Sequence, residues 1–448
     1  MADPLLHIKD SYYFDVPRTF WRVNFDSPRD MADNVGEWVV RNDPDYQDWE
    51  ADKFVQEIRE IIGDVDGLDH AKDAWLHWQH ADHKRHGRPF DQYVEDSLAE
   101  LDAQAANWVS GLETKPADAT KAYLAENADP QLLWMQSLRT GDEVTRQWNN
   151  ARRDMNDSRE LDLYLESPRG NWAEEKTKEI NHHLSGKVFI PQPFCTLKNA
   201  YEREPGFAFG ITRYMIIEVA VAIIMFLLFR WLAGKVQSGA APVGKLWNLI
   251  ESIVTFVKTD VVEKGIDPHE SPKFMPLFWT IFFFILGCNL MGMIPWVGSP
   301  TAAFALTAFL AIVVFVVGTV LGVQKYGVIG YLKNLCPELG LPLYLAIGIV
   351  PMVWVIEFAS LFIKHAILAI RLLANMVAGH LVLLGIMGLA FGIEAASSMS
   401  AGPWTALSIT ALLGTTVLSF MELFVAFLQA YVFTLLAALF VGAATHGH

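Results

Sequence analysis

Apolar residues are spread unevenly along this chain. Over the first two hundred positions they come singly or in pairs, at helical spacing, between Asp, Glu and Ala; from about residue 211 they close into runs of twenty or more. A run above about 18 residues is long enough to cross a ~30 Å hydrocarbon core as a helix. The pattern predicts spans at 214–233, 274–296 and 304–323, then a polar loop with Lys325 and Lys333. Apolar sequence resumes at Leu341; one run extends from Met352, just after Pro351, to Phe391, and a last one covers 404–442. These two are too long for ordinary spans, since 40 residues make a helix of about 60 Å. Fitting that length into the core takes a tilt of about 60° or a break. The reading adopted is two strongly inclined helices forming a hairpin through 394–403. Two ordinary spans, each with a buried extra piece, are the alternative.

The first half is cut into short helices by Gly63, Gly87-Arg88-Pro89, Lys115-Pro116 and Asp129-Pro130, with Trp75, Trp78, Trp108, Trp134 and Trp148 interleaved. Charge sharpens the division. Residues 1–210 hold 24 Lys+Arg against 40 Asp+Glu, whereas residues 211–448 hold 11 against 10. The expected fold class is therefore all-α: an acidic soluble helical domain over 1–205, then a polytopic membrane domain over 206–448. The acidic balance argues against nucleic acid as a partner, and the lipid membrane is the partner the apolar runs require. Cys195, Cys288 and Cys336 are too scattered for a disulfide framework or a zinc pattern. The stretch His77, His80, His83 and His86 drifts 60° per step around a helix, which fits a solvated face better than a metal. No metal or cofactor is expected. The N-terminus has neither a secretory signal pattern nor the basic character of a mitochondrial transit peptide.

Orientation follows from the loops. Residues 234–273 carry Lys235, Lys245, Lys258, Lys264 and Lys273, and the loop after the third span carries Lys325 and Lys333; residues 297–303 carry none. Positive-inside puts the first two in the cytoplasm (or matrix), the N-terminal domain on the outer, periplasmic face and the C-terminus inside.

The chemistry lies in the two long runs. Arg371 shares a helix face with Asn375, Lys364 and Glu357, a polar stripe on an otherwise apolar helix. A cation at the bilayer centre costs between ~2.5 and ~17 kcal/mol, so Arg371 is a functional candidate by default. Ser408, Thr415, Glu422 and Gln429 recur every seven residues in the last run and make a second stripe. An antiparallel hairpin turning within 394–403 sets Arg371 level with Gln429 and His380 level with Glu422, in one register. Gln429 is then placed to accept from the guanidinium, and His380 with Glu422 forms an acid–base pair suited to proton handling. Arginine releases no proton, so it reads as a barrier between two routes.

At these residues the chain resembles subunit a of the F-type ATP synthase. The likeness spans roughly 206–445 and is carried by NLMGMIP (289–295), EFASL (357–361), RLLANMVAGH (371–380) and MELFVAFLQAYVFTLL (421–436). It implies a stator subunit whose inclined helices curve around a rotor c-ring, held by peripheral stalk b subunits and joined to the other ATP synthase subunits. It also implies that Arg371 faces the ring carboxylate between two aqueous half-channels. Gln429 and Asn375 would be its polar neighbours, and Glu357, His380, Glu422, Ser408 and Thr415 half-channel residues. Such a subunit is a non-catalytic part of a proton-transporting complex, and no Gly-rich phosphate loop is present. The family commonly has proline where His365 stands, and bacterial members often have serine where Ile367 stands. The extension of about 205 residues is also unusual for it, and reads as an assembly or dimerisation module. The expected location is a bacterial inner membrane, with a mitochondrial one as alternative. A secondary transporter, or a sodium-carrying version of the motor, are the rival functions.

Overall fold

The computed structural model describes residues 10–445, apart from 83–84, 86, 113–115, 117, 204–208, 238–243, 268, 295–296, 335–342 and 392–399; at 334, 343–348, 389–391, 401 and 445 only the backbone is described. Two compact units emerge. One joins Met1–Val16, Val188–Phe194 and Ala208–His448; the other joins Pro17–Lys187 and Cys195–Phe207.

The second unit holds ten α-helices among its described residues: α1 (Pro28–Asn34), α2 (Trp38–Arg41), α3 (Pro44–Ile62), α4 (Ala71–Ala81), α5 (Phe90–Ser110), α6 (Ala119–Glu126), α7 (Pro130–Ser137), α8 (Asp142–Met155), α9 (Ser158–Glu166) and α10 (Glu174–Leu184). Their starts are written in the sequence. Asp43 and Asp129 each accept a backbone N–H two residues on, ahead of a proline in the first helical turn, the arrangement that stabilises a helix start by about 1 kcal/mol. Gly63 ends α3 with φ of 80°, a conformation only glycine adopts cheaply. The core is aromatic: Phe90 stacks on Trp134 (centroids 6.4 Å apart) and on Phe54 (6.1 Å), with Trp75 edge-on at 6.1 Å. Trp75, Trp78, Trp134 and Trp148 are buried, and Trp108 is half-buried against Tyr123. His77 and His80 are exposed, while His83 and His86 lie outside the described residues. No metal-holding cluster occurs among the described residues.

Glu50 on α3 is buried inside this unit, only 6% exposed. Desolvation, then the nearby Asp91, push its carboxyl up to about 8, against the pull of Arg41. The folded unit therefore holds a proton that the unfolded chain releases above pH ~4.3. That contribution is complete below the unfolded value and is lost as pH rises through about 8. Glu50→Gln keeps the neutral shape, so it is expected to stabilise α3 by at least about 1 kcal/mol above pH 8 and by nothing near pH 4. Amide hydrogen exchange of α3 at the two pH values measures this; equal protection of both proteins at high pH counts against it.

The first unit contains five helices long and apolar enough to cross a membrane. They are α11 (Arg213–Gln237), α14 (Ser271–Gly292), α15 (Phe304–Asn334), α16 (Leu343–Phe391) and α17 (Ala401–Thr445). Several differ from the expected bounds. The loop 234–273 carries its own helical stretch: α12 (Lys245–Phe256), a π-helical turn Val257–Val262 and the single turn α13 (Glu263–Gly265). Val257, Val261 and Val262 are fully buried there, because apolar spacing in a short segment also suits packing against the last helix. Gly442 on α17 meets Gly265 so closely that an added methyl would lie 1.9 Å from the Gly265 carbonyl.

The third span does not stop at 323. Helix continues to Asn334 through a break at Gly327 (φ 72°), so Lys325 and Lys333 lie on helix rather than loop. Long stems let such lysines reach polar surroundings from an apolar helix, and Lys325 lies 3.5 Å from Glu270 before α14. Nor does Pro351 begin a helix; it is inside α16, where it removes one backbone bond without ending the helix. The helix pair is thus longer than expected, 49 and 45 residues, about 73 and 67 Å at 1.5 Å per residue. Both exceed twice the ~30 Å core, so neither fits upright within it. Most of the expected turn at 394–403 falls outside the described residues. The only strands among the described residues, β1 (Tyr13–Asp15) and β2 (Lys187–Phe189), form a two-stranded sheet.

Candidate functional site

α16 and α17 pack against each other, and α17 also packs along α14 and α15. The turn Pro300–Ala302 touches α11, α14, α15 and α16. Several polar groups of the membrane unit gather where these elements meet.

His380 Nδ1 lies 2.7 Å from Glu422 Oε1, the pair that the hairpin register sets level. The contact is a close acid–base pair. Glu422 is 9% exposed. The other ring nitrogen, Nε2, donates to the backbone carbonyl of Gly292 at 2.9 Å, which fixes the imidazole from α14. Gly379 explains why the two helices approach here: a methyl at that position would stand 3.2 Å from Glu422 Oε1. Gly379→Ala is therefore expected to push the pair apart by a few tenths of an ångström and slow any proton transfer through it several-fold. Transport rates at unchanged assembly check this, and an unaltered rate counts against it.

Behind the pair lies a buried polar network that no periodicity announces. Thr301 Oγ1 donates to Asn289 Oδ1 at 2.7 Å, Asn289 Nδ2 donates to the Ala426 carbonyl at 3.2 Å, and Ser299 Oγ is 2.9 Å from Thr301 Oγ1. Asn289 and Thr301 are fully buried. Only the apolar run interrupted by Asn289 hints at this, because an amide inside a membrane helix needs an internal partner.

The other candidates separate by burial. Thr415 (8%), Glu422 (9%) and Gln429 (6%) face the packed interior, with Ser408 half-buried on the same stripe. Thr415 donates within its own helix, to the carbonyls of Ala411 and Leu412, so its proton is already engaged. Ser408 Oγ is enclosed with no partner among the described residues.

The stripe on α16 is turned outward. Arg371 and Lys364 are exposed, Glu357 and Asn375 half-buried. Lys364 Nζ stands 3.9 Å from Glu357 Oε2, a loose ion pair. Arg371 has no hydrogen bond or ion pair among the described residues. The expected bond from Arg371 to Gln429 is therefore not formed: the amide is buried against the helix bundle, while the guanidinium is on the uncovered side. Around it Phe362, Ile363, Ile367, Ile370 and Val382 are about half exposed. His365, one and a half turns earlier, is buried against Phe315 and Phe440 and bonds back to the Leu361 carbonyl at 2.8 Å. That is the carbonyl a proline at 365 would leave unbonded, so His365 keeps the helix continuous there.

Comparison with known proteins places the chain in a family. The ATP synthase A chain family profile matches residues 215–442. ATP synthase subunit a of Chloroherpeton thalassium is 35% identical over 61% of this chain and 81% of its own length. That of Myxococcus xanthus is 35% identical over 53% of this chain and 77% of its own. That of Anaeromyxobacter dehalogenans is 41% identical over 45% of this chain and 51% of its own. The matched residues take in the acid–base pair, the outward arginine and all five long apolar helices, and on that ground the chain belongs to the ATP synthase A chain family, as a multi-pass membrane protein with an N-terminal extension.

Proposed function

We propose that this chain is the proton-conducting stator subunit of an F-type ATP synthase, working with a rotor c-ring, peripheral stalk b subunits and the other subunits of that complex. One observation carries the reading. Arg371 is an exposed guanidinium midway along a 49-residue apolar helix, without a counter-charge in its own chain among the described residues. A permanent cation in that setting calls for a carboxylate from another chain, and a rotating ring of carboxylates supplies one at each step.

The roles follow. Protons reach the ring on one side of Arg371 through His380 and Glu422, with Ser408 and Thr415 along the same helix face. They leave on the other side past Glu357 and Asn375, and Gln429 keeps the neighbourhood of the arginine polar. The arginine passes no proton itself, so transfer between the half-channels needs ring rotation. By positive-inside the extension stands on the outer face of a bacterial inner membrane, with the C-terminus cytoplasmic. The contact of Lys325 with Glu270 supports placing the end of α15 and the start of α14 on one side. Residues 1–205 serve assembly or dimerisation.

ATP-driven acidification of inside-out membrane vesicles tests the coupling. Acidification on adding ATP, lost when the catalytic head is stripped, is expected. A pH change driven by a solute gradient and indifferent to ATP would point to a secondary transporter. A sodium requirement in the same assay would assign the other ion.

A further inference from the structure

α11 carries a further intramembrane cation that the proton path does not use. Arg230 stands seven residues before the helix ends at Gln237, about 10 Å along the axis, and is exposed. It forms no hydrogen bond or ion pair among the described residues. The neighbouring sequence offers no counter-charge, since no Asp or Glu occurs between Glu218 and Glu251. Arg230 lines an open hollow of about 500 Å³ with Leu227, Trp231, Gly234 and Lys235. Lys235 Nζ lies 5.9 Å from the ring of Trp247 on α12, and Trp247 packs with Leu232 and Ile250 to hold α12 against α11. Trp231 is 40% exposed beside it.

We propose that this hollow binds the phosphate headgroup of an anionic membrane phospholipid. Arg230 and Lys235 meet the phosphate, Gly234 leaves the floor open, and Leu227 lies toward the acyl chains. Several features select a lipid over an acidic partner helix. The cations lie in the last turns of an apolar span, at the depth where a guanidinium reaches the interface on its own stem. Tryptophans on two helices flank them, as at a bilayer boundary, and this end carries the Lys-rich loop, where anionic lipid acts on basic residues.

The test uses the intact complex in nanodiscs of phosphatidylcholine doped with phosphatidylglycerol, with retained lipid counted by native mass spectrometry. The wild type is expected to retain phosphatidylglycerol preferentially. Arg230→Gln with Lys235→Gln should lose that preference by about tenfold to thirtyfold, and Arg230→Lys should keep most of it. The single Gln variants, each keeping one cation, carry the test if the double variant fails to assemble. The proposal is overturned if the wild type shows no preference or the Gln variants retain it in full. Carbodiimide coupling of Lys235 to a carboxylate of another subunit would make the occupant a protein, and displacement of the lipid by inorganic phosphate would reduce the hollow to a simple anion site.

Discussion

Arg371→Ala is expected to abolish ATP-driven acidification, by at least about a hundredfold, while the complex still assembles and passive proton leak persists or rises. The size follows from what the side chain does in this geometry. A hundredfold loss corresponds to about 2.7 kcal/mol, which is at the bottom of the range for holding an unpaired cation in a membrane. The exposed guanidinium makes no bond that the rest of the chain depends on among the described residues, so its removal leaves no buried orphan and folding should survive. Arg371→Lys keeps the charge but loses the planar fork, so an intermediate loss is expected. Pumping measured beside leak after the catalytic head is removed separates the cases. Survival of pumping would make the arginine structural and sink the stator reading.

The second large effect is at the buried pair. Glu422→Ala should leave His380 with its Gly292 bond but without its acid, and His380→Ala should leave a 9% exposed carboxylate alone. Each is expected to cost about tenfold or more in pumping. The double variant should cost little more than either single one, because groups in contact share their contribution; coupling of about 1–3 kcal/mol is the scale for such neighbours. The exchanged variant, His380→Glu with Glu422→His, is the sharper probe. It restores an acid and a base at 2.7 Å spacing, but puts a carboxylate against the Gly292 carbonyl, which then has no donor. Partial recovery is expected, and recovery no better than the double alanine would assign His380 a merely structural role. Additive single effects would equally dissolve the pair as a unit.

Much of this was legible along the chain, for reasons of length and spacing. A run of apolar residues has few solutions in a membrane, so the five long helices were readable even where their ends were not. Ends were missed where the outcome rests on snorkelling or on packing. Lys325 and Lys333 read as loop because charge opposes burial, yet their stems let α15 run on. Pro351 read as a start because proline usually is one. The π-helical turn at Val257–Val262 left no trace, since its valines are buried partly by α17, far along the chain.

The sequence by itself determined the helical class, the length mismatch of the last two helices and the register that sets His380 level with Glu422. All of these follow from hydrophobicity and fixed helical rise, which are local properties. Tertiary structure alone decided which polar stripe is covered. Glu357, Lys364 and Arg371 recur every seven residues, as do Thr415, Glu422 and Gln429, and nothing in the spacing distinguishes them. The second stripe is buried because α14, α15 and α16 all pack on α17; the first is left open because no element among the described residues covers that side of α16. A period fixes which residues share a face, but only the neighbours fix whether that face meets protein or something outside the chain.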